Sequence, residues 1–282
     1  MMHIIGRDDA KTMGEVTYFE APPMKALGLV NHAFCTRMRG VRLGIFSSPG
    51  VTGEEGNERV PVLFNRELVS RTFGLEPEQL ITMDQKHGDR ISIIDKPLAH
   101  SQSPLNFRSD ALLTDQREIA IGVLTADCVP ILLVDPNHAV IGIIHAGWRG
   151  TLLGIARKAF DDMIRHFGIH PEDLFVAIGP SIGECCYEVD ENVMAPFRSS
   201  GWNWQSFSRP KGKGKWYLNL AQANIEQMED LGMREENCCW MRMCTACNHD
   251  IFFSYRAEGP GTGRQISFIQ LRGDMNIPFP LM

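Results

Sequence analysis

His87, Cys128 and His145 are the side chains of this 282-residue chain whose types and placement favour joint chemistry. Two imidazoles and one thiolate can together bind a transition metal such as zinc. Structural zinc sites are usually closed by four protein ligands, whereas three ligands leave a position open for water or substrate. The set therefore predicts a catalytic metal centre, and we rank zinc above copper as its ion.

The same atoms allow a metal-free interpretation. A thiolate beside an imidazole is the nucleophile of cysteine hydrolases and amidases, so Cys128 activated by His145 is an alternative. Metal content separates the two hypotheses, because a thiolate bound to zinc is a poor free nucleophile and resists alkylation until a chelator removes the metal.

The middle of the chain must bring Cys128 and His145 together. Apolar runs rich in Ile, Val and Leu predict buried strands at Ile119–Leu124, Pro130–Val134 and Ala139–Ile144. The turn-forming residues at 135–138 predict that the last two strands pair as an antiparallel hairpin. Residues before the first strand and after the second then meet at the end opposite the turn.

Other segments complete a layered fold. Apolar spacing predicts helices and strands that alternate along the chain. Helices are predicted at Asn65–Phe73, Leu152–Phe167 and Leu218–Leu231, with strands at Leu27–Thr36, Leu80–Met83, Arg90–Ile94, Leu174–Ile178 and Gln265–Leu271. A long loop is predicted at Leu43–Val60, and His87 falls in the turn between two strands. The pattern indicates a mixed α/β (α+β) domain, with mixed sheets flanked by helices in a single layered unit.

Composition limits the classes of function. Hydrophobic residues make up 44% and charged residues 22%, as in soluble globular proteins. The net charge of −6 gives no general attraction to nucleic acid or to an anionic membrane. Without a secretion signal or an apolar run of about 18 residues, we expect a cytoplasmic protein whose eight cysteines are thiols or ligands. Residues 1–25 are expected to be a partly ordered N-terminal extension, followed by one catalytic domain at 26–282.

The residues around the three candidate ligands resemble a known family. The segments are DQKHGDRI from Asp84, TADCVPILLVD from Thr125 and HAGWRG from His145. They are similar to the laccase-domain proteins, also called the multicopper polyphenol oxidase or peptidoglycan editing factor family. The resemblance covers residues 30–271, and its ordered motifs are specific. They continue with CTR at Cys35, NR at Asn65, GPSIGECCYEV from Gly179, FFSYR from Phe252 and TGR from Thr262.

This resemblance implies a function as well as a fold. It implies one zinc ion on the matching residues His87, Cys128 and His145, the same three that the residue types suggest. It also implies phosphorolysis of adenosine, inosine, guanosine and methylthioadenosine, together with deamination of adenosine. A purine nucleoside and phosphate are then the partners, while the oligomeric state is left open.

The family motifs also contain candidates for binding and for proton transfer. A guanidinium fork beside glycine or threonine can hold phosphate through two hydrogen bonds. The candidates for binding substrate or phosphate are Arg37, Arg149, Arg256, Arg264 and Cys186. Asp127 and Glu188 are candidates for the acid or base, and Asp127 could equally orient the turn or a histidine.

Two other hypotheses come from the names of the family. A four-copper laccase needs about ten histidine ligands, many in His-x-His pairs, whereas this chain has nine histidines and no such pair. Copper-dependent polyphenol oxidation on the three-ligand set is therefore an alternative of lower rank. An editing role in cell-wall precursor quality is another, and it predicts no turnover of nucleosides.

The remaining cysteines receive a structural interpretation. Cys244 and Cys247, with His249 nearby, resemble half of a zinc or redox motif, but no second pair lies at a suitable spacing. Two packed thiols are the favoured interpretation. The adjacent cysteines Cys185 and Cys186 are not expected to bind one ion together.

Overall fold

The computed structural model describes residues 5–37, 59–98 and 107–273, with side chains from residue 66 onward in the second range. The predicted loop at Leu43–Val60 lies outside the described residues up to position 58. Its last two residues begin a helix.

The first sheet has six strands and joins the two ends of the chain. Its order is β1 (Lys11–Met13), β2 (Val16–Phe19), β3 (Val30–Cys35), β15 (Gln265–Leu271), β7 (Ala120–Thr125) and β4 (Leu80–Thr82). All neighbours are antiparallel except β4 and β7, which are parallel. Because β1 and β2 extend this sheet, part of the expected N-terminal extension packs with the rest of the chain.

The second sheet also has six strands and contains the predicted hairpin. Its order is β14 (Cys238–Trp240), β10 (Phe175–Ile178), β8 (Val129–Asp135), β9 (Val140–Ala146), β6 (Ala111–Thr114) and β5 (Ile91–Ile94). The outer pairs β10–β14 and β5–β6 are parallel, and the inner pairs are antiparallel. A small antiparallel sheet adds β11 (Glu188–Asp190), β13 (Lys215–Leu218) and β12 (Ser208–Gly212).

Seven α-helices are described. They are α1 (Pro22–Ala26), α2 (Arg59–Thr72), α3 (Trp148–Leu152), α4 (Ile155–Phe167), α5 (Glu191–Ser199), α6 (Leu220–Glu229) and α7 (Tyr255–Glu258). The predicted helix at 152–167 is divided at Gly154, whose φ of +76° disfavours other residues. Gly168, at φ +70°, ends α4 and donates its amide to the carbonyl of Ile164. Within the described ranges, no helix is long and apolar enough to span a membrane.

The layers are a helix, two face-to-face sheets and a group of helices. One core cluster joins the outer face of the first sheet to α2 through Val69 and Phe268. A second cluster fills the space between the sheets, and a third packs the other face of the second sheet on α4 and α6. Successive residues of β8 therefore face different cores, with Ile131 toward the helices and Leu132 toward the first sheet.

This layering explains the continuous apolar runs. A strand buried on both faces lacks the polar alternation of a half-exposed strand. Every residue of β7, β8 and β9 is buried, and the predicted hairpin forms with Asp135 opposite Val140. The mixed α/β class and the single layered domain are confirmed.

Candidate active site

The hairpin places two candidate ligands at one end of the second sheet. His145 lies on β9 opposite Pro130, and it is 2% exposed. Cys128 immediately precedes β8 and is half-buried. The chain reaches it from β7 of the first sheet through Ala126 and Asp127, so the site lies where the two sheets meet.

His87 comes from the loop between β4 and β5. Its ring is perpendicular to that of His145, with centroids 4.7 Å apart. The ligand atoms of His87, Cys128 and His145 all lie within 4.8 Å of one another. The structure thus brings together the three residues that the sequence singles out.

Asp110 supports two of these ligands from outside the set. Its Oδ1 lies 2.8 Å from Nδ1 of His145, which leaves Nε2 for the site. The same carboxylate accepts amide hydrogen bonds from Lys86 at 3.2 Å, His87 at 2.9 Å and Gly88 at 2.8 Å. A carboxylate on the far nitrogen of a metal-binding histidine fixes its tautomer and ring orientation.

The backbone is strained at two positions in the site. His87 has φ +58° and Asp127 has φ +90°, values that residues other than glycine seldom adopt. Such conformations cost on the order of 1–3 kcal/mol and persist where the surroundings enforce them. At Asp127 the surroundings are two hydrogen bonds of 2.6 Å, from the Thr245 hydroxyl to Oδ1 and from the Arg256 amide to Oδ2.

Neighbouring charges and hydrogen bonds favour the thiolate form of Cys128, which is the form that binds a metal. Burial alone raises the pKa of the Cys128 thiol, but the charge of His145 and hydrogen bonds from both histidines lower it to about 6. Burial likewise opposes protonation of His145, yet Cys128 and Asp110 raise its pKa to about 9. The pair therefore holds a thiolate near neutral pH. Two imidazoles and a thiolate at these separations fit a zinc or copper ion.

A cavity of about 550 Å³ opens over this set. That volume suits a small-molecule ligand. The lining combines the three candidate ligands with aromatic, apolar and cationic side chains. The other lining residues are Gln85, Leu124, Thr125, Ala126, Asp127, Trp148, Arg149, Ile182, Tyr187, Leu220, Tyr255, Arg256 and Arg264.

Three arginines of the cavity have no carboxylate partner among the described residues. Arg149 lies over the Trp148 ring, 4.5 Å from its centroid. Arg256 donates to the carbonyls of Cys186 and Glu188, and Arg264 donates to backbone carbonyls of its own loop. Carbonyl contacts orient a guanidinium without neutralising it, so the cavity has a concentrated positive charge.

The structure does not bring every predicted residue to the cavity. The Arg37 guanidinium contacts the carbonyl of His249, the Glu258 carboxylate and the face of Phe253, away from the lining. Cys186 lies with three other cysteines and is not among the residues that line the cavity. The Glu188 carboxylate binds Lys211 and Lys215, which lower its pKa to about 2 and make it a poor proton donor.

Sequence reasoning did not single out Asp110, Gln85, Trp148, Tyr187 or Tyr255. Asp110 precedes β6 without any spacing signal that links it to a histidine. Gln85 exchanges two hydrogen bonds of 2.9 Å with the backbone of Leu124, which ties the His87 loop to β7. Gln85, Tyr187 and Tyr255 lie within the quoted family segments, so those segments carried a signal for them.

The sequence as a whole identifies the family. The profile of the multi-copper polyphenol oxidoreductase laccase family matches residues 31–272. The chain belongs to this family. The crystal structure of YlmD from Geobacillus stearothermophilus superposes with a TM-score of 0.81 at 29% identity, covering 93% of this chain and 98% of that one.

Several relatives have the names of nucleoside enzymes. A purine nucleoside phosphorylase of Bacteroides thetaiotaomicron is 33% identical over 247 residues, which is 86% of this chain and 92% of that protein. One from Deinococcus radiodurans is 34% identical over 251 residues, covering 89% and 93%. A protein from an unknown prokaryotic organism, named adenosine deaminase RL5, is 33% identical over 219 residues, covering 76% and 83%.

Proposed function

We propose that this chain is a zinc-dependent purine nucleoside phosphorylase that also deaminates adenosine. The observation that carries the proposal is that one cavity contains both the His87, Cys128 and His145 set and three arginines without a carboxylate partner in the described part of the chain. A phosphorylase needs an anion site next to a site for the base. The names of the relatives support the same pair of activities.

The arginines would bind phosphate. Arg149, Arg256 and Arg264 line the same cavity, and their charges are available to a dianion. Guanidinium groups bind phosphate through paired hydrogen bonds of favourable geometry. Arg149 is the best placed to do so, because its guanidinium lies on the Trp148 ring face and donates to no carbonyl among the described residues.

Aromatic side chains would bind the purine. Trp148, Tyr187 and Tyr255 line the cavity and offer faces for stacking. Burial raises the pKa of Tyr187, with a further contribution from the Cys128 thiolate. Its phenol therefore remains protonated and can donate a hydrogen bond to a purine nitrogen.

The arrangement suits a reaction with a cationic transition state. During phosphorolysis a phosphate oxygen forms a bond to the sugar C1′ while the bond from C1′ to N9 breaks. The electron pair leaves with the purine, which takes up a proton, and the sugar develops oxocarbenium character. Phosphate held by the arginines both supplies the nucleophile and stabilises that charge.

The metal would act at the other side of the substrate. His87, Cys128 and His145 would hold zinc, with Asp110 fixing the orientation of His145. A bound zinc ion would supply Lewis-acid polarisation of the purine or of water, which suits both departure of the base and deamination. Asp127 would position the adjoining turn, because both of its carboxylate oxygens already accept hydrogen bonds.

An assay with a panel of nucleosides tests the proposal. The protein loaded with zinc is incubated with adenosine, inosine, guanosine and methylthioadenosine, with and without phosphate, and free base and ammonia are measured. We expect phosphate-dependent release of base, with ribose 1-phosphate from the three ribonucleosides and 5-methylthioribose 1-phosphate from methylthioadenosine. Adenosine should also release ammonia without phosphate. If neither product forms from any of these substrates, the nucleoside assignment is wrong.

Arg149→Gln tests the division of roles within the cavity. Loss of one charged hydrogen-bonding group should raise the KM for phosphate by about tenfold to hundredfold while sparing deamination. Arg165→Gln is the matched control, since Arg165 forms an ion pair with Asp161 on the exposed face of α4. Cys128→Ser should abolish both reactions. Equal losses of both activities in Arg149→Gln would contradict a separate phosphate site.

A second function is favoured by a specific contact. Cys128, His145 and Asp110 form a thiolate, imidazole and carboxylate series, as cysteine hydrolases require. His87 argues for the metal instead, because a hydrolase triad needs no second imidazole on the sulfur. Freshly isolated protein that contains no transition metal, and whose Cys128 reacts with iodoacetamide without chelator, would favour the hydrolase.

A further inference from the structure

Four cysteines outside the candidate active site converge at one point. Cys185 and Cys186 come from the turn between β10 and β11, and Cys244 and Cys247 come from the turn that follows β14. All four sulfur atoms lie within 4.8 Å of one another. Cys247 Sγ is 3.5 Å from Cys185 Sγ and 3.3 Å from Cys186 Sγ. The expectation of two packed thiols at Cys244 and Cys247 is therefore incomplete. The expectation that the adjacent Cys185 and Cys186 would not share an ion is also at odds with their position, because both sulfurs lie in this group.

The separations match one metal ion surrounded by sulfur. Zinc–sulfur bonds are about 2.3 Å long, so the corners of a ZnS₄ tetrahedron are about 3.8 Å apart. Four sulfurs within 4.8 Å of each other can reach this arrangement through small side-chain rotations. A cluster of several irons would hold its cysteine sulfurs farther apart, because the iron atoms lie between them.

A disulfide explains the arrangement less well. The Cys247 sulfur is at nearly equal distances from two partners, whereas a disulfide joins two sulfurs at about 2.05 Å and leaves the others unused. A single metal ion bound by all four sulfur atoms accounts for the positions of all four cysteines.

The backbone of the turn that contains Gly183 brings the cysteine side chains together. The amides of Cys186 and Tyr187 donate to the carbonyl of Gly183 at 3.0 and 2.9 Å, and this tight turn directs two adjacent cysteines to one side. The Gly183 amide donates to Cys244 Sγ at 3.2 Å. A β-carbon at Gly183 would lie 3.3 Å from Cys185 Sγ and 3.3 Å from Cys244 Cβ, so a larger residue would crowd the sulfurs.

We propose that Cys185, Cys186, Cys244 and Cys247 form a second metal site, which binds one zinc ion through four thiolates. A zinc ion with four protein ligands has no open position, so its role is structural. This inference does not depend on the proposed nucleoside chemistry.

The site would brace the wall of the active-site cavity. Cys186 precedes Tyr187, which lines the cavity, and its carbonyl accepts a hydrogen bond of 3.2 Å from Arg256. Thr245, between two of the cysteines, donates to Asp127 beside the first metal set. One ion would thus join the two turns that position these cavity residues.

Metal analysis of variants tests the second site. Protein is produced with zinc supplied and purified anaerobically, and its zinc content is measured by mass spectrometry. We expect about two zinc ions per chain in the unaltered protein and about one in both Cys128→Ala and Cys247→Ser. Cys35→Ala is the control, because Cys35 is a buried thiol outside both sets, and it should keep both ions.

X-ray absorption distinguishes the sites even if Cys247→Ser folds poorly. Zinc in Cys128→Ala should show a shell of four sulfurs at about 2.3 Å, whereas a nitrogen shell near 2.0–2.1 Å would indicate the histidine set. No zinc in Cys128→Ala, a shell containing nitrogen, or an intact mass showing an oxidised cysteine pair in the zinc-supplied protein would overturn the proposal.

Discussion

The Asp110 carboxylate restricts the movement of two candidate metal ligands, His87 and His145. It fixes the ring of His145 through Nδ1 and holds the strained loop of His87 through three amides. Burial would raise the pKa of Asp110, but His145 and these amides lower it, so the carboxylate stays charged. One buried anion thus positions two ligands that come from different elements.

Asp110→Asn should weaken metal binding without removing a ligand. The amide can no longer attract the imidazole as a full charge, and loss of such a partner typically costs about tenfold to hundredfold in metal affinity. Titration against a competing chelator measures the effect. Asp161→Asn, which alters an exposed ion pair on α4, should leave the affinity unchanged. Equal affinities in the two variants would show that Asp110 has only a structural role.

Spacing along the chain predicts contacts only between site residues that are close in sequence, and His87 was selected by its residue type and its family segment instead. Cys128 and His145 flank a single hairpin, so turn composition and apolar runs were enough to bring them together. Asp110 lies 35 residues from His145, and Cys185 lies 62 residues from Cys247. Contacts of this kind depend on the pairing of distant strands, which residue spacing does not encode.

Gly147, in the turn between β9 and α3, packs against the candidate ligands Cys128 and His87. A β-carbon on Gly147 would lie 3.1 Å from Cys128 Sγ and 3.1 Å from Cδ2 of His87. The backbone of Gly147, at φ −78° and ψ 175°, is one that alanine adopts without strain. The glycine is therefore required by the space around the sulfur and the imidazole and not by the backbone conformation.

Gly147→Ala should displace two ligands without unfolding the chain. Overpacking costs about 1–3 kcal/mol, so metal affinity should fall by about tenfold or more. Chelator competition and thermal unfolding of the same sample separate the two effects. Gly273→Ala is the control, because the added carbon would lie within 4 Å of no described residue other than its chain neighbours. A Gly147→Ala protein with unchanged metal affinity would contradict the tight packing seen here.

His32 on β3 makes one strand sensitive to acid. Its Nε2 accepts a hydrogen bond of 2.8 Å from the Ala21 amide, and its Nδ1 has no hydrogen-bond partner within the ranges that the structure describes. Burial lowers its pKa from 6.5 to about 4. Below pH 6.5 the unfolded chain therefore binds a proton that the folded chain rejects, and stability falls until about pH 4.

His32→Gln should flatten this acid dependence. Glutamine keeps an acceptor for Ala21 but does not titrate. Between pH 6.5 and 4, the free energy of unfolding should fall by about 3 kcal/mol more in the unaltered protein than in the variant. Urea unfolding at several pH values measures the difference, and comparing the two proteins cancels the groups that they share. Parallel curves would show that His32 does not titrate as proposed.

Element prediction succeeded where burial is strong and failed where it is weak. Strands β7, β8 and β9 are buried on both faces, so they are visible as apolar runs. The strands of the small third sheet contain many exposed positions, and β12 includes lysine, arginine and proline. Such a sequence is also typical of a loop, and the apolar spacing predicted no strand in this segment.

At the scale of the whole molecule, the candidate active site lies where the two six-stranded sheets meet. Cys128 lies where the chain passes from β7 to β8, and the four-cysteine set lies beside the second sheet's far strands. The sequence indicated mixed sheets with helices, but not that β15 from the end of the chain lies between β3 and β7. The strand order determines which loops lie around the cavity. The charged side chains on those loops determine the charge distribution inside it.

The charge distribution predicts different salt dependence for the two proposed substrates, phosphate and a purine nucleoside. The chain carries a net charge of −6, while Arg149, Arg256 and Arg264 concentrate positive charge in the cavity. Phosphate is attracted locally, whereas a nucleoside is neutral. Screening weakens the first interaction and leaves the second nearly unaffected, as the Debye length falls from about 30 Å at 0.01 M salt to about 8 Å at 0.15 M.

Raising the salt concentration over this range should therefore raise the KM for phosphate by about threefold to tenfold, with little change in the KM for inosine. Initial rates in potassium chloride measure both constants, and a neutral osmolyte at matched osmolarity controls for solvent effects. In Arg149→Gln the salt dependence should be shallower, because one of the screened charges is gone. If both constants rise in parallel, salt acts on the fold or on the metal instead of on a phosphate site formed by these arginines.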